Sequence, residues 1–521
     1  MQTNPYLNNI QIKSNNQINY LAGGINNIYP PQNIQDDECQ DMYNMCLDKY
    51  PAIRTRIGRT MMSNPGSKGE DVKYFGVAGV KYLFYIQGES LKDMTGTVIS
   101  NGITGTKFNH VYYADGNSEY LVLYGDGIVP TRHKLPLSAL NEPEIMPLPE
   151  GVEAFEHMCY HKNRMMASDG NMLYFSALQN PMDWSTAENS REDRVPNCNK
   201  ITGLVSFDDK LIVFSEENMH LYYGSNVIAG NSDSYTCVSL DNNIGCYDQN
   251  TIKVHNSYLY WLYGRNVYEY DGSTIRNIEK ATGNNGITGG IKEYIMGITI
   301  NEAKNISVAA SEDKVYFWFP DYKFFLIFDQ RLRKWTKEVQ GEDDPDELYY
   351  ATICDSYADL NFSQTPTPVY ALTNNGVIYE LTGGRKDGNT YIRTYGKDEF
   401  INEEGLTVKK DIPFYIKTKE FKNGVLSKKK SLSSIWFNYD LDGIVNLKII
   451  TDDGKEIIKE NILPTGKNKT ECVLIPNNMQ NVNSYTFEIY GTGDITIYGM
   501  ERIDRTNTRW DLDNIQIIHL Q

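Results

Sequence analysis

At 521 residues with a formal net charge of −17, the chain gives no support for nucleic-acid binding by counterion release, which needs a clustered basic face. Hydrophobic residues make up 40%, enough for a core, while the polar start and the lack of any ~20-residue apolar run argue against a signal peptide or a membrane-spanning helix. The 38 tyrosines against 18 phenylalanines lean toward half-buried strands, where the ring packs and the hydroxyl stays wet.

Residues 1–20 are rich in Asn and Gln and read as extended. Residues 23–59 follow as GGINNIYPPQNIQDDECQDMYNMCLDKYPAIRTRIGR, with turn chemistry at Gly23, Gly24, Pro30 and Pro31. Residues 36–47 predict one short helix, capped by Asp36 or Asp37. The segment is too polar to be a domain, so residues 1–69 read as an arm lying against something larger. Ile25, Ile28 and Tyr29 are docking candidates. Ordering a chain costs roughly 1–2 kcal/mol of backbone entropy per residue, and an arm this short must recover that by burial elsewhere. Arg54 and Arg56 are candidates too, because two residues apart they share a face of an extended chain and suit an acidic surface.

From residue 70 to 385 one theme repeats: a β-branched or aromatic strand, a tight turn, another such strand. KYFGVAGVKYLFYIQG turns at Ala78 and Gly79, and HMCYHKNRMMASDGNMLYFS at Lys162 and Asn163. TIKVHNSYLYWLYGRNVYEYDG turns at Asn256 and Ser257 and again at Gly264 and Arg265. SVAASEDKVYFWFPDYKFFLIFDQ turns at Glu312 and Asp313, and VYALTNNGVIYELTGG at Asn374 to Gly376. About seven such units recur at intervals of roughly 40–60 residues, the spacing of propeller blades. The expected fold is therefore all-β, with one β-propeller of about seven blades, six to eight, over residues 70–385. Two stacked sandwiches or an irregular β array are the rivals, since no WD or kelch signature marks the repeat.

After Gly384 the texture changes. Residues 386–505 alternate in strands of ~6–8 residues between turns such as Asp452-Asp453-Gly454, as in a small β-sandwich. Residues 506–521 form a tail that adds a last strand or docks on a neighbour. The run Lys428, Lys429, Lys430 is a further docking candidate, for phosphate or an acidic partner, against the simpler reading of a solvated hairpin tip.

Chemistry has few footholds. His157, Cys159 and His161 alternate on one strand and share a face, but a closed zinc site lacks its fourth ligand, and packing is the simpler reading. Asp343, Asp344 and Asp346 lack the pattern of a calcium loop. The eight cysteines, at 39, 46, 159, 198, 237, 246, 354 and 472, form no C-x-x-C pair and read as reduced thiols of a cytosolic fold. No nucleophile elbow, zinc-protease motif or phosphate loop appears. The expectation is a non-enzyme without metal or cofactor.

Three stretches carry a resemblance: residues 23–59, with their Arg-x-Arg-x-Gly exit at Arg54, Arg56 and Gly58; MLYFSALQNPMDWST at residues 172–186; and IPFYIKTKEF with KKKSLSSIWFNYD, residues 412–421 and 428–440. Together they resemble the β-propeller proteins of tailed-phage virions, including tail-nozzle and packaged-DNA stabilisation proteins. The resemblance implies a propeller with an appended sandwich, assembled as a symmetric homo-oligomeric ring at the neck or tail. It also implies docking on other virion proteins (portal, connector or tail), non-specific contact with packaged DNA, no membrane insertion, and assembly in the host cytoplasm. The alternative is a host-recognition module whose propeller loops bind a surface glycan through exposed aromatic residues.

Overall fold

The computed structural model describes residues 14–63, 70–77, 80–93, 95–101, 105–116, 118–125, 128–137, 142–184, 190–224, 235–283, 286–340, 350–355, 368–382, 385–387, 390–401, 406–422 and 429–506. Among these, the helices are short, Lys292–Met296 and Ile300–Ala303 with a few 3-10 turns, and strands account for the rest of the regular structure.

Local turn chemistry sets the hairpins. Two-residue connections between right-twisted strands favour primed turns with positive φ at both central positions. Lys162 and Asn163 adopt 45° and 61°, Asn256 and Ser257 adopt 46° and 65°, and Gly264 and Arg265 adopt 57° and 66°. The turn at Ala78 and Gly79 lies outside the described residues.

Stacked around an axis, these hairpins make seven blades among the described residues. Six are four-stranded antiparallel sheets, beginning at Val72, Phe108, His157, Ile201, Lys253 and Ser307. The seventh takes Tyr350–Asp355, Val369–Thr373 and Ile378–Glu380 and completes itself with Thr60–Ser63, from far earlier in the chain. Each junction between neighbouring blades is a separate apolar cluster. Phe75, Phe84 and Ile86 of blade one meet Phe108, Leu121 and Leu123 of blade two. The circle closes where Val72, Tyr74 and Leu83 of blade one pack with Tyr370, Leu372 and Ile378 of blade seven. The propeller expectation holds, with seven blades.

A second unit is one continuous ten-stranded sheet, nearly closed on itself like a barrel. Its spine is Lys430–Thr451 paired along its length with Ser484–Thr506. Halfway along, Gly443 stands opposite Gly493, and each has its Cβ position against backbone, 2.0 Å from the Thr492 carbonyl oxygen and 2.3 Å from that of Asp442. Side chains on both sides of this point enter one core: Ile435, Phe437 and Tyr439 before it, Val445, Leu447 and Ile449 after it. The two packed layers expected of residues 386–505 are thus halves of a single folded-over sheet.

That sheet also takes strands from the start of the chain, which corrects the picture of residues 1–69 as an arm with a helix. Ser14–Asn19 pairs with Met500 to Arg505, and Ile53–Thr55 pairs with Thr496 and Ile497. Residues 36–47 are not helical: Cys39–Tyr43 and Met45–Cys46 are strands, separated by Asn44 at φ 57°. Tertiary pairing overrides the local helix signal. As strands, Cys39, Met42 and Met45 all reach the second core fully buried, and Met42 lies opposite Ile416.

Candidate functional site

Two places gather polar side chains. The first is the propeller axis, where the innermost strands of neighbouring blades do not pair and leave N–H groups in need of acceptors. Side chains supply them. Asp71 Oδ2 accepts from Phe108 N at 3.0 Å, Asp355 Oδ2 from Ala310 N at 2.7 Å, and Gln249 Oε1 from Leu204 N at 2.7 Å. Two lysines then tie distant blades: Lys73 Nζ donates to Asn250 Oδ1 at 3.3 Å, and Lys107 Nζ to Asp248 Oδ2 at 3.3 Å and the Lys304 carbonyl at 3.0 Å. Between them, burial and then the nearby Lys73 and Lys253 push His110 down to about 3, so it stays neutral. The axis is a hydrogen-bonded plug.

The second place is the seam where the chain's early strands join both units. Here the Arg-x-Arg-x-Gly stretch finds its partners. Arg54 Nε and Nη2 donate to Asp494 Oδ1 and Oδ2 at 3.0 and 2.6 Å, and its guanidinium lies 3.8 Å over the Tyr395 ring. Arg56 donates from both Nη atoms to both oxygens of Asp398 at 2.8 Å. The Asp398 Oδ1 also accepts from Arg59 N at 2.8 Å, and Arg59 Nη2 reaches Glu338 of blade six at 3.4 Å. Burial opposes the charge on Asp398, yet Arg56, with Arg59, holds its carboxyl below the usual range. Gly58 has no room for a side chain: a Cβ would sit 1.8 Å from the Lys397 carbonyl oxygen. Beside them Lys314 of blade six pairs with Asp48, and Lys337 Nζ lies 2.7 Å from Asp41 Oδ1.

Three of the eight expected docking residues are therefore spent inside the chain. Ile25 is fully buried in the second core, Arg56 is buried against Asp398, and Arg54 is held by Asp494. Ile28 is half-buried against Gly290, and Tyr29 alone of the arm's candidates is exposed, at 40%. Lys429 is exposed; Lys428 and the Lys430 side chain lie outside the described residues, although the Lys430 backbone pairs with Thr506. The partners Asp398, Asp494 and Glu338 had no local signal, because each lies hundreds of residues from its arginine. A motif in which two arginines share a face beside a glycine was the one available hint.

His157, Cys159 and His161 do share a strand, with blade four beside it. His161 Nδ1 is 2.8 Å from Ser206 Oγ, burial pushes its pKa down to about 4, and burial pushes the Cys159 thiol up to about 12. Among the described residues no group of three or more His, Cys, Asp or Glu is placed to hold a metal ion. Asp343, Asp344 and Asp346 lie outside the described residues. Trp184 is buried against Phe155, ring centres 4.8 Å apart, in the cluster shared by blades two and three. No helix among the described residues is long and apolar enough to cross a membrane.

No family model and no curated protein matches the chain. Among solved structures it is similar to the exo-β-1,3-galactanase of Phanerochaete chrysosporium with galactose, at 11% identity and TM-score 0.26, over 80% of this chain and 100% of that one. The Myxococcus xanthus glutaminyl cyclase is similar at 11% identity and TM-score 0.23, over 43% of this chain and 88% of that one. These neighbours are enzymes, so the expectation of a non-enzyme is withdrawn. Likeness this distant assigns no activity, substrate or site to this chain.

Proposed function

We propose that this chain is a structural subunit of a tailed-phage virion, assembled as a symmetric ring at the neck or tail and docked on portal, connector or tail proteins. One observation carries the reading. Two of the three stretches that resemble such proteins, about 370 residues apart, are strand partners: Met42 lies opposite Ile416, and Tyr43 opposite Tyr415 with their rings stacked at 5.3 Å. The resemblance therefore falls on a pairing inside the second sheet, beside the point where Asn44 N donates to the Lys337 carbonyl of blade six. Contact with packaged DNA belongs to the ring in this reading. Within one propeller, Lys73 and Lys107 bridge the axis.

The test is the composition of purified particles. Mass spectrometry should find the chain in fixed ratio to the portal, and labelled-antibody imaging should place it at the neck or tail. Its absence from intact particles, or its location on the capsid shell, would overturn the proposal.

A further inference from the structure

A shallow cleft of about 380 Å³ opens between the Gly264 and Arg265 turn of blade five and the short helices that precede blade six. Its floor is apolar, made by Leu262, Ile298 and Ala303, with Tyr247 and Ile300 at the sides. Ile300 is 55% exposed and neighbouring Met296 is 51% exposed, so apolar surface continues beyond the mouth. At the rim stands Arg265, which finds no carboxylate among the described residues, in a chain with 67 acidic against 50 basic residues. A bare guanidinium beside an apolar floor suits an occupant that alternates apolar and acidic side chains. The chain contains one: residues 510–513 read Trp-Asp-Leu-Asp, three residues beyond the strand that ends at Thr506.

We propose that this cleft receives residues 510–513 of a second copy, Trp510 or Leu512 entering the apolar floor and Asp511 or Asp513 pairing with Arg265. The contact joins different surfaces of the two copies, so it is heterologous and repeats head to tail, as ring closure demands. It rests on the ring reading for its partner. It is tested on the purified chain, so absence from virions would sink that reading without touching this contact.

The experiment is sedimentation of full-length protein with complementing variants. Wild type should self-associate, while Arg265→Glu with Ile300→Asp (cleft blocked) and Trp510→Ala with Leu512→Ala (segment blocked) should each remain monomeric with unchanged melting. Mixed, the two variants should form a dimer and nothing larger, because one intact cleft meets one intact segment. Charge exchange, Arg265→Glu together with Asp511→Arg and Asp513→Arg, should restore at least tenfold of the lost affinity. Self-association that survives both blocks overturns the proposal, as does failure of the mixed variants to pair. Monomeric wild type would also overturn it, leaving the segment to its own copy.

Discussion

At the scale of single residues, the seam's ion pairs set the clearest expectations. Arg56 and Asp398 form a two-point contact with the guanidinium buried, and removing one partner strands the other. Arg56→Ala should therefore cost about 3–5 kcal/mol in denaturant unfolding, more than replacement of an exposed pair would. Acid dependence follows from the same contact. The folded carboxyls of Asp398 and Asp48 lie below the ordinary aspartate value, burial opposing and Arg56 or Lys314 prevailing. Their stabilisation is complete above roughly pH 5 and is lost as pH falls below about 4 and through the folded values. Glu38 works the other way, since burial raises it and protonation eases its burial. Melting curves between pH 7 and 3 should fall with acid in the wild type and fall less steeply in Asp398→Asn; equal slopes would remove Asp398 from the account. In blade three, Trp184→Ala should cost about 3 kcal/mol by emptying the space against Phe155, again read by denaturant.

At the scale of elements, Thr60–Ser63 has the largest consequence for its size. It is the fourth strand of blade seven, pairing with Ile378, Tyr379 and Glu380 on one side and, at Thr60, with Glu399 of Lys397–Ile401 on the other. Without it Ile378–Glu380 becomes an open edge, and blade seven loses the strand contributed from before blade one in the chain. Residues 70–385 produced alone should melt well below the full chain, with blade seven the first region cut by limited proteolysis. Equal melting and equal resistance would show that the closing strand is dispensable. The strand pair of Gly443 and Gly493 makes a second test. Gly493 holds φ 100°, and a Cβ there meets the Asp442 carbonyl oxygen at 2.3 Å. Gly493→Ala should destabilise the second sheet by opening its fold-over, seen as loss of near-ultraviolet dichroism from Tyr439 and Tyr485 in that core.

At the scale of the whole molecule, the chain is a circle and a folded sheet locked by one segment. Residues 14–63 supply strands to the second sheet and to blade seven, so removing them disturbs both units at once. Deletion of residues 1–63 should yield protein without cooperative unfolding, measured by calorimetry. A stable, cooperative product would mean that propeller and sheet fold without this tie.

The hairpins are legible in the residues alone, because turn residues such as Lys162-Asn163 and Asn256-Ser257 act over two positions and need no distant partner. Recurrence of those hairpins pointed to a propeller of six to eight blades, which the fold fixes at seven, and the alternation in Lys430–Thr451 pointed to a second β unit. The partners of residues 23–59 emerge only in the folded chain. Asp36 and Asp37 advertise a helix locally, yet Met42 gains more by pairing with Ile416 and entering a core 370 residues away. Likewise Arg54 and Arg56, legible as cations in want of carboxylates, meet Asp494 and Asp398 inside the chain. Local chemistry fixes turns and alternation, but the choice among distant partners is made by burial, which no short window of sequence contains.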